Sequence, residues 1–123
     1  MKLGMIVVLT PDLIEARRFY GHLLGLTLVR DSTSQLIFDL AGTEFHVFGC
    51  TGAAPAGSRH GATAATVCAF EVASVEAEMS RLGALGVVFL HGRPAENALS
   101  GIRYAAFEAP GGNVHELVER ITA

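Results

Sequence analysis

Close to the C-terminal end of the chain, the carboxylate of Glu116 lies among apolar residues of a predicted strand. Residues 113–119 alternate as a β-strand does, which places Val114, Glu116 and Val118 on one face. A charge among apolar side chains is costly to bury unless it has a partner. Glu116 is therefore predicted to have a partner inside the fold or to act on a molecule bound there.

The strand that carries Glu116 follows a predicted tight turn. Pro110 fixes its own φ angle, and Gly111 and Gly112 reach positive φ at little cost. Asn113 tolerates the left-handed region of backbone space. These residues predict a reversal between two neighbouring strands.

The composition is that of a globular chain with apolar surface to spare. Of the 123 residues, 50% are hydrophobic and 17% are charged. This length is enough for one domain with a core, or for two small fused modules. The excess of apolar residues predicts a homodimer interface, an apolar cavity, or both.

The net charge and the lengths of the apolar runs argue against several classes of partner. The net charge is −3 and the Lys and Arg residues form no basic stripe, so we expect no nucleic-acid partner. No apolar run reaches the ~20 residues of a membrane span, and Met1 to Leu9 lacks the cleavage pattern of a signal peptide. Cys50 and Cys68 are too few for a disulfide framework and are interpreted as reduced thiols of a cytoplasmic protein.

The chain has the pattern of strand, helix and three strands, and the pattern occurs twice. Leu3 to Leu9 is a continuous apolar run that predicts a strand covered on both faces. One helix is predicted to begin at Asp12 and end at Gly25, and a second to begin at Ser74 and end near Gly86. The other predicted strands are Leu26 to Arg30, Gln35 to Leu40, Glu44 to Phe48, Ala64 to Val72, Val87 to Leu90, Ile102 to Glu108 and Val114 to Val118.

A stretch rich in Gly, Ala, Thr and Ser separates the two patterns. Its composition and length predict a linker at residues 50–63. The first module is then residues 1–49 and the second is residues 64–123, together forming one structural domain. Modules this small cannot bury a sheet face alone. We therefore expect each helix to cover one face of its sheet, and the other faces to curl around a cavity.

The residues that begin the two predicted helices set the sequence offset between the modules. Asp12 and Ser74 are 62 residues apart, and on this offset Met5 corresponds to Val67. The two fourth strands place His46 at the position that corresponds to Glu116. A lone histidine in a strand is usually a surface or paired residue without a task. Its correspondence to Glu116 makes a functional role an equal alternative.

Two motifs resemble the signature of a known superfamily. Asp12-Leu13, Phe19-Tyr20 and Leu24-Gly25-Leu26 resemble the D-L…F-Y…L-G-L pattern of the vicinal oxygen chelate superfamily. That superfamily includes glyoxalase I, bleomycin- and fosfomycin-resistance proteins and extradiol dioxygenases. Pro110-Gly111-Gly112-Asn113 with Glu116-Leu117 resembles its closing D-P-x-G-N-x-x-E-L motif, with Ala109 in place of the Asp. The resemblance implies an α+β fold of tandem βαβββ modules, with curled mixed sheets around a cavity, a homodimer and a small-molecule ligand.

The resemblance also implies where a metal would be held. Metal-dependent members use side chains from the first and fourth strands of both modules, which here are Met5, His46, Val67 and Glu116. Only His46 and Glu116 suit a divalent ion such as nickel, zinc, manganese or iron, because a thioether is a poor ligand and valine is none. His60 or His115 would have to complete the set, although His115 points away from the face of Glu116. The expected metal site is incomplete.

The first strand indicates what the cavity would accept. Glyoxalase I-like members often carry an arginine four residues beyond the first ligand, where it binds a glutathione carboxylate; here that residue is Leu9. Leu9 shares its face with Met5 and Val7, and Val67 is apolar as well. We expect these residues to contact an apolar or neutral ligand rather than glutathione.

His46 and Glu116 could also work without a metal. If the two face one cavity, a hydrogen bond between them would orient the imidazole, and the pair could remove a proton next to a carbonyl. Arg103 or the Tyr104 hydroxyl would then have to stabilise the enolate. These two are neighbours on one strand, so only one faces inward. The alternatives are a solvated charge for Arg103 and a core or interface ring for Tyr104.

Two functions from different classes follow. The first is a glyoxalase-like lyase or isomerase with an incomplete metal site. The second is a non-catalytic binding protein of the bleomycin-resistance type, which sequesters an apolar or aromatic small molecule. An extradiol dioxygenase is less favoured, because it needs two histidines and a carboxylate and the chain supplies only part of that set.

Overall fold

The computed structural model of this chain describes residues 3–50 and 66–121. The chain folds as two compact units, Met1–Ala56 with Pro110–Gly112, and Gly57–Ala109 with Asn113–Ala123. Apart from Cys50, the predicted linker lies outside the described residues. The module boundaries at 1–49 and 64–123 therefore stay a prediction.

The first unit contains one helix and a four-stranded mixed sheet. The strand order is β1-β4-β3-β2, with β1 parallel to β4 and the other pairs antiparallel. A short α-helix continues directly into a π-helical segment of seven residues. The elements are β1 Met5–Thr10, α1 Leu13–Ala16 with the π-helical segment Arg17–Leu23, β2 Thr27–Asp31, β3 Gln35–Leu40 and β4 Thr43–Gly49.

The predicted signals set the ends of this helix. The Asp12 carboxylate accepts a hydrogen bond from the Glu15 backbone N–H at 3.0 Å, which satisfies one of the first donors of α1. Gly25 has a φ of 76°, which ends the helix in the left-handed conformation that glycine adopts most easily.

The helix covers one face of the first sheet with aromatic side chains. Tyr20 and Phe45 are fully buried, with ring centroids 5.0 Å apart, and Phe38 packs beside both. The opposite face of β1 is exposed, since 44–55% of the surface of Met5, Val7 and Leu9 is accessible. The expectation that this strand is covered on both faces was wrong. Its apolar residues alternate between the helix and the other face of the sheet.

The second unit repeats the arrangement. Its strand order is β5-β8-β7-β6, with β5 parallel to β8 and the other pairs antiparallel. The Ser74 hydroxyl accepts from the Ala77 N–H at 3.1 Å, as predicted for the start of the second helix. The elements are β5 Cys68–Glu71, α2 Val75–Ala84, β6 Ala95–Asn97, β7 Ile102–Ala109 and β8 Asn113–Arg120.

The outer strand of the second sheet differs from the prediction. Val87 to Leu90 forms only an isolated bridge between Phe89 and Phe107, and the strand at this edge is β6, which the sequence pattern did not predict. The Leu90 N–H still donates to the Ala106 carbonyl at 2.9 Å. Pairing along β7 is thus interrupted between these two segments, where Gly92 and Pro94 disfavour regular strand structure.

The core of the second unit lies between α2 and its sheet. Val75, Leu82 and Phe107 are fully buried there. His115 packs edge-on against Phe70 and Phe107, at centroid distances of 5.4 and 5.8 Å. A carboxylate oxygen of Glu119 accepts from the Val75 N–H at 2.9 Å and so caps α2 from the neighbouring strand.

The two units confirm the predicted α+β class with tandem βαβββ modules. Within residues 3–50 and 66–121, no helix has the length and apolar character needed to cross a membrane.

Candidate functional site

The face of the first sheet opposite α1, which we call the first open face, carries His46. The strand register aligns one residue from each strand across this face: Val7, His46, Ile37 and Arg30. His46 and Ile37 are both buried, each with 7% of its surface accessible. The imidazole of His46 therefore lies between the apolar residues Val7 and Ile37, and Arg30 follows Ile37 at the end of the row.

Both ring nitrogens of His46 have partners from the same face. The Gln35 amide nitrogen lies 2.8 Å from Nδ1, and Nε2 lies 3.0 Å from a Glu44 carboxylate oxygen. An amide N–H can only donate, so Nδ1 is the acceptor and Nε2–H donates to Glu44. With the Gln35 amide in this orientation, the contacts fit the tautomer that carries its proton on Nε2. They also fix the ring plane, which lies close to parallel to Phe48 at a centroid distance of 6.0 Å.

Glu44 is the charged partner in this chain of contacts. The hydrogen bond from His46 lowers the pKa of Glu44, and burial partly offsets that effect. The Glu44 side chain is about half exposed, at 47% of its surface. The sequence pattern predicted Glu116 as the partner of His46. The nearer signal was Glu44 itself, two residues earlier on the same strand and hence on the same face.

The corresponding face of the second sheet, opposite α2, carries Glu116 and is called the second open face. Glu116 is half-buried, and its register partners are Ala69 on β5 and Ala106 on β7. Val67 immediately precedes β5 and shares the face of Ala69 by strand alternation. Both cross-strand neighbours of Glu116 in its sheet are therefore alanines.

The register of the two sheets supports the correspondence predicted from the sequence. Val7 pairs with His46 in the first sheet, and Ala69 pairs with Glu116 in the second. Val7 and Ala69 are separated by the same 62 residues as the two helix caps. His46 and Glu116 therefore occupy equivalent positions in their own units.

Arg103 and Tyr104 lie on opposite faces of β7. The Arg103 guanidinium contacts Glu96 at 2.9 Å and Glu119 at 3.6 Å, on the side of the sheet that α2 covers. These ion pairs raise the pKa of Arg103, the Glu96 hydrogen bond contributing most. Arg103 thus faces away from Glu116. Tyr104 shares the second open face with Glu116, and its ring meets His91 edge-on at 5.6 Å.

The donors at the family's metal positions do not form a complete ligand set. Met5 and Val67 offer no suitable donor, and both ring nitrogens of His46 are already hydrogen-bonded. In the described part of the chain, no three His, Cys, Asp or Glu side chains are grouped so that they could hold a metal ion. His115 is buried on the α2 side of its sheet, and His60 lies outside the described residues.

Comparison with known proteins places this architecture in a family. The Glyoxalase/Bleomycin resistance protein/Dioxygenase superfamily model matches residues 2–117, and the chain belongs to that superfamily. Its members bind small molecules. No curated protein matches the chain.

Solved structures share the fold at low sequence identity. The chain is similar to the protein SMU.1112c, with a TM-score of 0.79 and 23% identity over 97% of this chain and 98% of that one. It is similar to the fosfomycin resistance protein FosX of Listeria monocytogenes, crystallised with Mn(II), with a TM-score of 0.75 and 19% identity over 99% and 90% of the two chains. It is also similar to the lactoylglutathione lyase of Agrobacterium tumefaciens, with a TM-score of 0.70 and 19% identity over 96% and 92%.

Proposed function

We propose that this protein is a glyoxalase-like lyase or isomerase that moves a proton next to a carbonyl group in a small molecule. The observation that carries the proposal is the buried imidazole of His46, held on both nitrogens by Gln35 and Glu44. An oriented neutral histidine in apolar surroundings is the group most often used for such proton transfers. The lactoylglutathione lyase among the structural neighbours supports this class of reaction.

In this proposal His46 is the base and Glu44 positions it. A substrate that displaces the Gln35 amide from Nδ1 meets the lone pair of that nitrogen. The proton leaves the hydroxyl-bearing carbon next to the carbonyl and is held on Nδ1, which leaves an enediolate. It then returns to the former carbonyl carbon, while the hydroxyl proton passes to the oxygen of that carbon, so that a new carbonyl forms where the first proton was removed. Glu44 accepts the Nε2 hydrogen bond throughout and stabilises the imidazolium that forms.

We also propose functional roles for Glu116 and Tyr104 on the second open face. The support is the equivalence of Glu116 to His46 in the repeat, together with the family's use of both positions. The Tyr104 hydroxyl is the donor proposed for the enolate oxygen, since Arg103 faces the other way. Met5, Val7, Leu9 and Val67 are proposed to contact the apolar part of the ligand.

A divalent metal held by His46 and Glu116 stays a proposal of lower rank. A variant of FosX from Listeria monocytogenes was crystallised with Mn(II). Within residues 3–50 and 66–121, however, no three His, Cys, Asp or Glu side chains are grouped to hold an ion. No step of the proposed proton transfer depends on a metal. We also propose a homodimer, in keeping with the excess of apolar residues.

The second candidate is a binding protein of the bleomycin-resistance type. The observation in its favour is the apolar strip of Met5, Val7 and Leu9, which has about half of its surface exposed on the first open face. Such a protein would bind an aromatic or apolar molecule without turnover. A ligand at 100 times its Kd would then raise the free energy of unfolding by about 2.7 kcal/mol.

Turnover of 2-oxoaldehyde adducts separates the two candidates. Adducts of methylglyoxal with glutathione and with 2-mercaptoethanol would be incubated with the protein, and thioester formation followed. The enzyme hypothesis predicts turnover that falls at least a hundredfold in His46→Gln and is unchanged in His22→Gln, an exposed helical histidine. Equal turnover by the wild type and His46→Gln would refute it.

A further inference from the structure

A small cleft opens on the first unit beside the His46 contacts. It has a volume of about 200 Å³ and is lined by Arg30, Asp31, Ser32, Gln35 and Ile37. Pockets for drug-sized ligands measure ~300–1,000 Å³, so this cleft suits a smaller molecule. Gln35 belongs to both features, because its amide nitrogen also contacts Nδ1 of His46 at 2.8 Å.

A β-bulge decides which side chain of β2 reaches this cleft. Leu28 pairs with Phe38 and Arg30 pairs with Ile37, so Val29 is an extra residue between the two pairs. In a regular strand Val29 would oppose Ile37, and Arg30 would point to the face covered by the helix. The bulge instead places Arg30 in the row of Ile37 and His46. Bulges next to functional sites commonly redirect a side chain in this way.

The charges around the cleft leave Arg30 available to an anion. Asp31, the acidic residue of the lining, is bound by Arg17 at 2.7 Å. Arg30 has no carboxylate at ion-pair distance in residues 3–50 and 66–121. The His46 hydrogen bond is the largest influence on the pKa of Glu44, and the charge of Arg30 lowers that pKa further. A guanidinium without a direct partner, in a cleft that also contains the Ile37 side chain, matches a carboxylate with a short carbon tail.

We propose that the cleft binds a small carboxylate with a short apolar tail. The carboxylate lies against the Arg30 guanidinium, and the tail packs on Ile37 and extends towards His46. The inference rests on the proposed function, because it makes the cleft the part of that site which anchors the substrate. It deepens that function by predicting that the site prefers substrates with an acidic group.

Binding of butyrate, compared with the neutral butyramide, tests this directly. Calorimetry at low salt should show saturable butyrate binding to the wild type. The affinity for butyrate should fall about tenfold in Arg30→Gln, because this variant loses a charged hydrogen bond that is partly exposed to solvent. Arg18→Gln is the matched control, since Arg18 is an exposed arginine of the same unit paired with Glu15. It should bind butyrate like the wild type. Butyramide should bind the wild type and Arg30→Gln equally weakly.

A double variant tests the role of the bulge. Val29→Arg combined with Arg30→Val keeps the net charge of the strand but moves the guanidinium out of the row of Ile37. We expect it to bind butyrate as weakly as Arg30→Gln. Wild-type affinity in the double variant would overturn the argument from the bulge.

Two results would overturn the inference as a whole: no saturable butyrate binding, or equal affinity in the wild type and Arg30→Gln. Neither result alters the turnover comparison of His46→Gln, which decides the proposed function separately. Turnover independent of His46, found together with Arg30-dependent butyrate binding, would end the proposed function but leave an acid-binding cleft.

Discussion

The stability of this protein should fall on mild acidification because of one buried histidine. His115 has 2% of its surface accessible, and its surroundings include the Phe70 and Phe107 rings. Burial lowers the pKa of His115 from 6.5 to about 4, since the charged form loses its hydration. The unfolded chain therefore binds a proton on His115 near pH 6.5, whereas the folded chain binds it only near pH 4. Stability from this residue is fully present above pH 6.5 and is lost progressively as the pH falls towards 4.

The pKa difference sets the size of the effect. Each pKa unit corresponds to about 1.4 kcal/mol, so the whole window corresponds to about 3 kcal/mol. Between pH 7 and pH 5 the loss is about 2 kcal/mol. Urea unfolding at these two pH values would measure it in the wild type and in His115→Phe, which keeps an aromatic ring at the site.

The variant isolates the contribution of His115 from other titrating groups. We expect His115→Phe to lose about 2 kcal/mol less than the wild type between pH 7 and pH 5. His22→Gln, which removes an exposed helical histidine, should lose as much as the wild type. The same pH dependence in the wild type and His115→Phe would refute the reasoning.

Three further predictions concern two backbone positions and a helix cap. A Cβ on Gly111 would lie 2.8 Å from the Leu9 carbonyl oxygen, and φ at Gly111 is +79°. Gly111→Ala should therefore lower the free energy of unfolding, measured with urea, by about 2 kcal/mol. Gly83→Ala, in α2 with no atom within 4 Å of the added Cβ, should instead raise stability by about 0.5–1 kcal/mol, and a decrease would contradict this. Glu119→Ala removes the cap on the Val75 N–H and should cost about 1 kcal/mol in the same assay; unchanged stability would show that the cap is dispensable.

Local signals of the sequence were sufficient for most of the architecture. Asp12 and Ser74 begin their helices as predicted, and the predicted strand Gln35 to Leu40 agrees with the observed β3. These features depend on interactions within a few residues, so a single sequence is enough to predict them. Matching the fourth strands of the two modules then gave the equivalence of His46 and Glu116, which the register of the two sheets supports.

Features that depend on irregular pairing were missed. The bulge at Val29 changes which residue of β2 faces the cleft, and periodicity assumes strict alternation. Because the pairing is interrupted near Gly92, the outer strand of the second sheet is Ala95–Asn97 and not the predicted Val87 to Leu90. No pattern in the sequence indicates how many residues a bulge contains.

The partners of the candidate residues were only partly predictable. Neither Gln35 nor Glu44 was predicted as a partner of His46. The choice between Arg103 and Tyr104 depended on the position of Glu119, a long-range contact between β7 and β8. Such contacts are set by tertiary packing and have no local sequence signature.

The tautomer of His46, read by ¹⁵N NMR of the imidazole ring near neutral pH, tests the central claim most directly. The hydrogen bonds to Gln35 and Glu44 predict a neutral ring protonated on Nε2, with Nδ1 unprotonated, and a mixture of tautomers in Gln35→Leu. A ring protonated on Nδ1, or a wild-type ring that averages between tautomers, would contradict the claim that His46 is held ready as a base.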